Sequence, residues 1–167
     1  QPTISRRSDN RVKMQQYSTP LPMAFVADMF AWKPNSRTLE PTAGNGMLVF
    51  AIPAKNVVVN ELDETRLANL RQQGFEIVLN EDATSAAFTP KAYDSVIANP
   101  PFGKAEAKMY DGKSIAGLDE QIALNALAAM KDNGKAAIII GGNMEYGSNG
   151  AIKGNKAKLR SEERRVG

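Results

Sequence analysis

The sequence predicts a doubly wound α/β domain with a mostly parallel sheet, and three observations carry that expectation. Short apolar runs alternate with helical stretches between residues 20 and 140. The runs are apolar at nearly every position, as in Val57-Val58-Val59 and Val96-Ile97-Ala98, the pattern of strands covered on both faces. The conspicuous polar residues stand just after the runs, where parallel sheets gather their ligands. No internal repeat is present.

In chain order, a helix is expected over residues 20–33, with Thr19 as N-cap and Ala24, Phe25, Met29 and Trp32 as its apolar positions. A short first strand at 37–40 turns through Pro41-Thr42-Ala43-Gly44-Asn45-Gly46 into an apolar helix from Met47 to about Ile52. The second strand is 57–61, followed by a helix capped by Asp63, running to Gln73 and ended by Gly74. Residues 75–79 and 93–98 form the third and fourth strands. A loop rich in Lys and Gly leads to a helix at 118–131, closed by Asn133-Gly134, and a fifth strand at 135–140.

The length of 167 residues, with 43% apolar and 23% charged side chains, fits one domain with a sizeable core. No stretch approaches the roughly 20 apolar residues of a spanning helix, and the polar opening residues carry no expectation of a signal peptide. No membrane partner is expected, and the expected location is the cytoplasm. Cys and His are both absent, which excludes disulfides, cysteine zinc sites, thiolate nucleophiles and histidine bases. No metal site is expected. The net charge of +3 is uneven: residues 151–167 carry six basic and two acidic side chains, leaving 15 basic and 16 acidic groups before them. The folded part thus has no positive surplus for gripping phosphate backbones.

Four strand ends converge on one crevice. Gly44 and Gly46 permit a tight bend and bring backbone N–H groups close to a ligand. Val49 stands where a dinucleotide fingerprint has its third glycine, and the following helix lacks the phosphate-loop lysine. Glu61 stands 21 residues after Glu40, where such folds place a carboxylate that accepts from ribose hydroxyls. Asp82 is placed to accept from an exocyclic amine or to serve as a turn residue. At the fourth strand end, Asn99-Pro100-Pro101-Phe102 combines two fixed φ angles with two missing N–H donors. Carbonyl and amide oxygens remain as rigid acceptors, which orient an amine's lone pair and stabilise positive charge developing on nitrogen. Phe102 offers a ring face to a planar substrate.

Asn99-Pro100-Pro101-Phe102 resembles the catalytic motif of amino-group methyltransferases that use S-adenosyl-L-methionine, especially N6-adenine DNA methyltransferases. Leu39-Glu40-Pro41-Thr42-Ala43-Gly44-Asn45-Gly46 resembles their methionine-binding loop. Asn60-Glu61-Leu62-Asp63 resembles their ribose-binding acid segment, and Glu81-Asp82-Ala83 their adenine-contacting segment. Gln16-Tyr17-Ser18-Thr19-Pro20 is similar to the segment closing over the cofactor's methionine end, and its position matches the gamma-type motif order. The resemblance implies a Rossmann-like methyltransferase sheet and direct methyl transfer to the N6 amine of an adenine flipped out of DNA. It implies Asn99, Pro100, Pro101 and Phe102 as catalytic. It implies cofactor contacts from Tyr17, Ser18, Thr19, Pro20, Glu40, Pro41, Ala43, Gly44, Gly46, Glu61, Leu62, Asp82, Ala83 and Asn99.

Residues 1–14 are expected as a flexible segment, 15–142 as a partial catalytic domain and 143–167 as an irregular tail. Residues 160–167 resemble the translation of a sequencing-library adapter. The sheet is expected to be incomplete at its C-terminal edge, lacking two strands and a target-recognition region, as in a fragment of a longer polypeptide with a recognition or helicase region. Three other readings stay open. One is a glutamine N5 or RNA adenine methyltransferase, and another a non-catalytic cofactor-binding or antirestriction module of a large phage polypeptide. A nicotinamide-dependent oxidoreductase is disfavoured by the incomplete glycine pattern.

Overall fold

The structure is a computed structural model, and it describes residues 19–141. Tyr17, Ser18 and the expected terminal segments 1–14 and 143–167 lie outside the described residues. Helix α1 (Leu21–Ala31) leads into β1 (Thr38–Glu40), β2 (Val57–Asn60), α2 (Glu64–Leu70), β3 (Ile77–Leu79) and β4 (Tyr93–Ala98). A hairpin of β5 (Lys104–Tyr110) and β6 (Lys113–Gly117) follows, then α3 (Leu118–Ala129) and β7 (Met130–Ile138). Among the described residues, no helix is long and apolar enough to cross a membrane.

Five strands form one parallel sheet in the order β3-β2-β1-β4-β7. The fold is the expected doubly wound one, and strand alternation explains its two cores. Val57, Val59 and Ile97 face α1 and α2, burying against Ala24, Ala31 and Leu70. Val58 and Val96 face the other way, against Leu124 and Leu127 of α3, with Phe88 and the hairpin's Ile115. Strand order reverses between β1 and β4, the position at which parallel sheets open a crevice.

Several local expectations are corrected. Thr19 does not cap α1: Pro20 occupies that position, no side chain caps the helix, and Pro22 stands in its first turn. Two prolines there leave fewer N–H groups in need of a cap. Only Ala24, Asp28 and Ala31 of α1 are buried, while Phe25 and Met29 are exposed. The expected helix after Gly46 is a single 3-10 turn, Met47–Val49. Pro53 removes a donor just beyond it, and the Ala51 N–H is taken by Asp28 Oδ2 at 3.1 Å, so a costly helical nucleus has nothing to propagate into. The expected Lys- and Gly-rich loop contains the β5–β6 hairpin. Its tip is Asp111-Gly112, both at positive φ (52° and 76°), the two-residue turn that matches strand twist. Asn133-Gly134 does not end α3 but lies in an irregular stretch of β7, where Tyr93 pairs Met130 and Ser95 pairs Lys135.

Two buried carboxylates join α1 to the sheet. Asp28 is 2% exposed and Glu40 fully buried, and Asp28 Oδ1 and Glu40 Oε2 have no hydrogen-bond partner among the described residues. Burial pushes the Asp28 carboxyl from 3.8 to about 6, opposed by the Ala51 N–H. Burial also drives Glu40 well above the usual carboxylate range, opposed by Thr42 and reinforced by the Asp28 and Glu61 charges.

Gly46 has φ of +79°, and a Cβ there would lie 3.1 Å from Phe75 Cζ and 3.3 Å from Leu70 Cδ2. Gly46→Ala is therefore expected to cost about 1–2 kcal/mol from the left-handed backbone alone, plus repacking, read as a lower denaturation midpoint. An unchanged midpoint would refute this account of the turn. For Asp28, the folded state retains a proton that the unfolded chain has released, so its contribution to stability falls as pH rises from about 4 to about 6 and is constant above. Asp28→Asn is expected to flatten that part of the pH–stability profile and to raise the melting temperature at pH 7 but not below pH 4. An identical profile in wild type and variant would contradict it.

Candidate active site at the sheet's switch point

A cleft of about 270 Å³ opens where strand order reverses. Residues following β1, β2, β3 and β4 all line it, including Gly44, Glu61, Asp82 and Asn99. The first two α3 positions on the cleft side, Leu118 and Ile122, supply apolar wall, being four residues apart on one helix face.

One buried amide fastens the first three strand ends together. Asn60, 1% exposed at the end of β2, donates from Nδ2 to Pro41 O at 3.0 Å and to Glu81 O at 2.9 Å. Its Oδ1 accepts from Glu81 N at 2.9 Å, and its backbone carbonyl accepts from Ala43 N at 2.9 Å. Every polar group of that side chain is thus used. Asn80 adds a second tie by donating to Glu61 O at 2.8 Å. From α3, Asn125 donates to Ala83 O and Ala86 O, both at 3.0 Å, which fixes the loop after β3.

Glu61 stands between the glycine turn and α2. Its Oε2 accepts from Gly44 N at 2.7 Å and its Oε1 from Asp63 N at 2.8 Å. A carboxylate has about four acceptor positions, so both oxygens keep capacity facing the cleft. Asp63 caps α2 as expected, accepting from Arg66 N at 3.0 Å. Gly44, at φ +59°, lies under the Arg66 guanidinium: a Cβ would be 3.3 Å from Nη1. Asp82 is a turn residue, its Oδ1 accepting from Thr84 N at 2.9 Å, and it lines the cleft as well.

The corner after β4 faces the same space. Asn99 Nδ2 donates to Thr19 Oγ1 at 3.0 Å, which directs the amide's other end, Oδ1, to remain an acceptor. Thr19, barred from capping α1, therefore serves the cleft instead. Pro101 lines the cleft beside Asn99, while Pro100 is buried.

Of the residues singled out in the sequence, Thr19, Pro41, Ala43, Gly44, Glu61, Leu62, Asp82, Ala83, Asn99 and Pro101 line this cleft. Pro20, Glu40, Gly46, Pro100 and Phe102 do not. Glu40 supports the turn from below by accepting from Thr42 N at 3.2 Å, and Gly46 serves packing against α2. Phe102 is 38% exposed, and its ring lies against Gly141, where a Cβ would fall 2.7 Å from Cδ1. Its ring therefore packs beside the end of β7 and forms no part of the cleft wall. Sequence reasoning missed Asn60 as a clamp, whose signal was a polar residue closing an otherwise β-branched strand. It also missed Arg66, Leu118 and Ile122 as lining.

No protein-family model matches this sequence, and no curated protein sequence matches it. Solved structures do resemble it in fold. TrmN from Thermus thermophilus gives a TM-score of 0.56 at 22% identity, covering 81% of this chain and 43% of that one. The [4+2]-cyclase SpnF gives 0.54 at 14% identity, covering 88% and 56%. A TehB-like SAM-dependent methyltransferase from Corynebacterium glutamicum gives 0.53 at 15% identity, covering 95% and 77%. The chain thus spans about half the length of the first two. At these identities the likeness concerns architecture, and a cyclase among the three illustrates that one architecture hosts several chemistries. The chain has the Rossmann-like fold of methyltransferases, with its cleft at the switch point of the sheet.

Proposed function

We propose that this domain binds S-adenosyl-L-methionine in the cleft and transfers its methyl group to an amino nitrogen, the exocyclic N6 of adenine in DNA. The observation that carries this reading is that the Asn99-Pro100-Pro101 corner, the Gly44 turn and Glu61 share one cleft. The donor set fits such a cofactor. Glu61 offers acceptors for the two ribose hydroxyls, Asp82 offers one for an exocyclic amine, and Leu62, Met47 and Ile122 give apolar cover. Gly44 lets the backbone turn tightly at φ +59° beneath the Arg66 guanidinium, where a Cβ would lie 3.3 Å from Nη1. When bound, the cofactor supplies an electrophilic methyl carbon on a sulfonium.

The chain's own residues do the orienting. Asn99 Oδ1 and the carbonyls braced by Pro100 and Pro101 accept the N–H protons of the substrate amine. That aims the nitrogen lone pair along one direction and stabilises the positive charge growing on it. Thr19 Oγ1 fixes which end of the Asn99 amide faces the substrate. No side-chain nucleophile is required, which suits a chain without cysteine or histidine. Phe102, outside the cleft wall but exposed next to the corner, is available to a planar base brought in from that side.

The test separates cofactor binding from turnover. In the polypeptide carrying this domain, Asn99→Ala is expected to lower turnover on adenine-containing DNA by about 100-fold or more, by analogy with the loss of one positioned polar group. Calorimetric binding of S-adenosylmethionine is expected to survive. Glu61→Ala is expected to weaken that affinity by about 1–3 kcal/mol, the cost of stranded polar partners. Full turnover in the Asn99 variant, or binding of NAD in preference to S-adenosylmethionine, would overturn the reading.

A further inference from the structure

We infer that the outer face of α1 is the surface through which two copies of this chain pair about a two-fold axis. A surface helix ordinarily turns its bulky apolar side chains to the core and its polar ones to water. Helix α1 does the reverse. Its buried positions are Ala24, Asp28 and Ala31, whereas Leu21, Met23, Phe25, Val26, Met29 and Phe30 are exposed. These fall on two neighbouring ridges of residues four apart, Leu21-Phe25-Met29 and Val26-Phe30, with Met23 beside them. The 3-10 turn packed next to α1 extends the same face with Met47 and Phe50. Eight of the twelve large apolar side chains exposed among the described residues thus belong to one helix and the turn beside it. The single charged residue of α1, Asp28, is turned inward and bonded to Ala51 N, so the outer face carries no charge.

Area, charge and the rest of the chain name a second copy as the occupant. At the roughly 150–250 Å² that an aromatic-sized side chain offers when fully open, the exposed fractions of these eight residues amount to roughly 800 Å². That exceeds the largest patch of an ordinary monomer, about 300–600 Å², and equals the roughly 800 Å² that each partner gives to a standard interface. A face without charge can meet its own copy without juxtaposing like charges, as a self-complementary two-fold contact requires. The geometry suits it too: ridges of residues four apart interdigitate with identical ridges at a crossing of about −50°. An axis near Val26, midway along Leu21–Ala31, sets the two helices antiparallel. Lys135, whose Nζ lies 5.6 Å from the Phe30 ring centroid, supplies the polar rim. The chain's own flanks lack a matching face. Residues 1–18 hold four large apolar side chains among five charged ones, and residues 142–167 hold five among nine. The pairing surface begins two residues after Thr19, whose hydroxyl holds Asn99, and it leaves the nature of the cleft's ligand open.

The test is sedimentation equilibrium on the full 167-residue chain, whose single copy has a mass of 18.1 kDa. A species of twice that mass is expected at micromolar concentration. Val26 and Met29 are the most open positions of α1, at 66% and 70% exposure, so charges there disturb the monomer least. Val26→Glu/Met29→Glu is expected to weaken pairing by about 100-fold or more, because two like charges would be buried unpaired on each side, with the far-ultraviolet circular dichroism retained. A second readout does not depend on that variant folding. The chain has no cysteine, so Val26→Cys is expected to form a covalent dimer with an added oxidant, whereas Met109→Cys, equally open on the hairpin, is expected to stay monomeric. A wild-type chain that is monomeric throughout the micromolar range, a dimer that persists in the double Glu variant, or equal cross-linking at Val26→Cys and Met109→Cys would overturn the inference. So would a monomer that co-sediments through this face with vesicles of phosphatidylcholine and phosphatidylglycerol, which would give α1 a lipid surface in place of a second copy.

Discussion

The side chain of Asn60 is the constraint on which the cleft depends. A parallel sheet delivers its strand ends to one edge but leaves the loops beyond them free to diverge. Here a single buried amide, with both its donors and its acceptor engaged, spans the loops after β1 and β3 from its place at the end of β2. Leaving such a group unpaired costs about 1–3 kcal/mol, so these loops are held in register by the penalty for separating them. Glu61, the next residue, inherits its position from that clamp, and its carboxylate in turn holds the Gly44 N–H.

The same economy appears on the other side of the cleft. Thr19 looks like a helix cap in the sequence, but α1 opens with prolines that reduce the number of N–H groups to be capped. The hydroxyl is thereby released to Asn99, eighty residues away. One long-range hydrogen bond thus couples the start of α1 to the corner that would meet the substrate. Beneath the turn, Asp28 and Glu40 are buried, each with one oxygen that has no partner among the described residues, directly behind the glycine loop. Polar groups without partners gather near sites where function rather than stability sets the arrangement.

Elements whose reasons are local were legible in the sequence. Residues 93–98 form a strand with the expected bounds because Val96-Ile97-Ala98 puts apolar side chains on both faces, and Asp63 caps α2 because its acceptor lies three residues before the N–H it serves. The convergence of strand ends also followed from the alternation of strands and helices. What stayed hidden was decided by distant partners. The helix after Gly46 was cut to one turn by Asp28 capturing the Ala51 N–H. Burial of Gln121 on α3 holds the hairpin, though its Asp111-Gly112 tip was a turn signal available in the sequence. The packing of the Phe102 ring beside Gly141 was hidden too, a contact no local pattern announces.

The central claim concerns direction: a nucleoside held at Glu61 must present its sulfur-bearing end to Asn99. Solving the domain in complex with S-adenosylhomocysteine tests this directly. The account predicts the ribose hydroxyls within hydrogen-bonding distance of the Glu61 carboxylate and the thioether turned toward Asn99 Oδ1. A nucleoside seated elsewhere, or an Asn99 amide rotated out to bulk water in that complex, would contradict it.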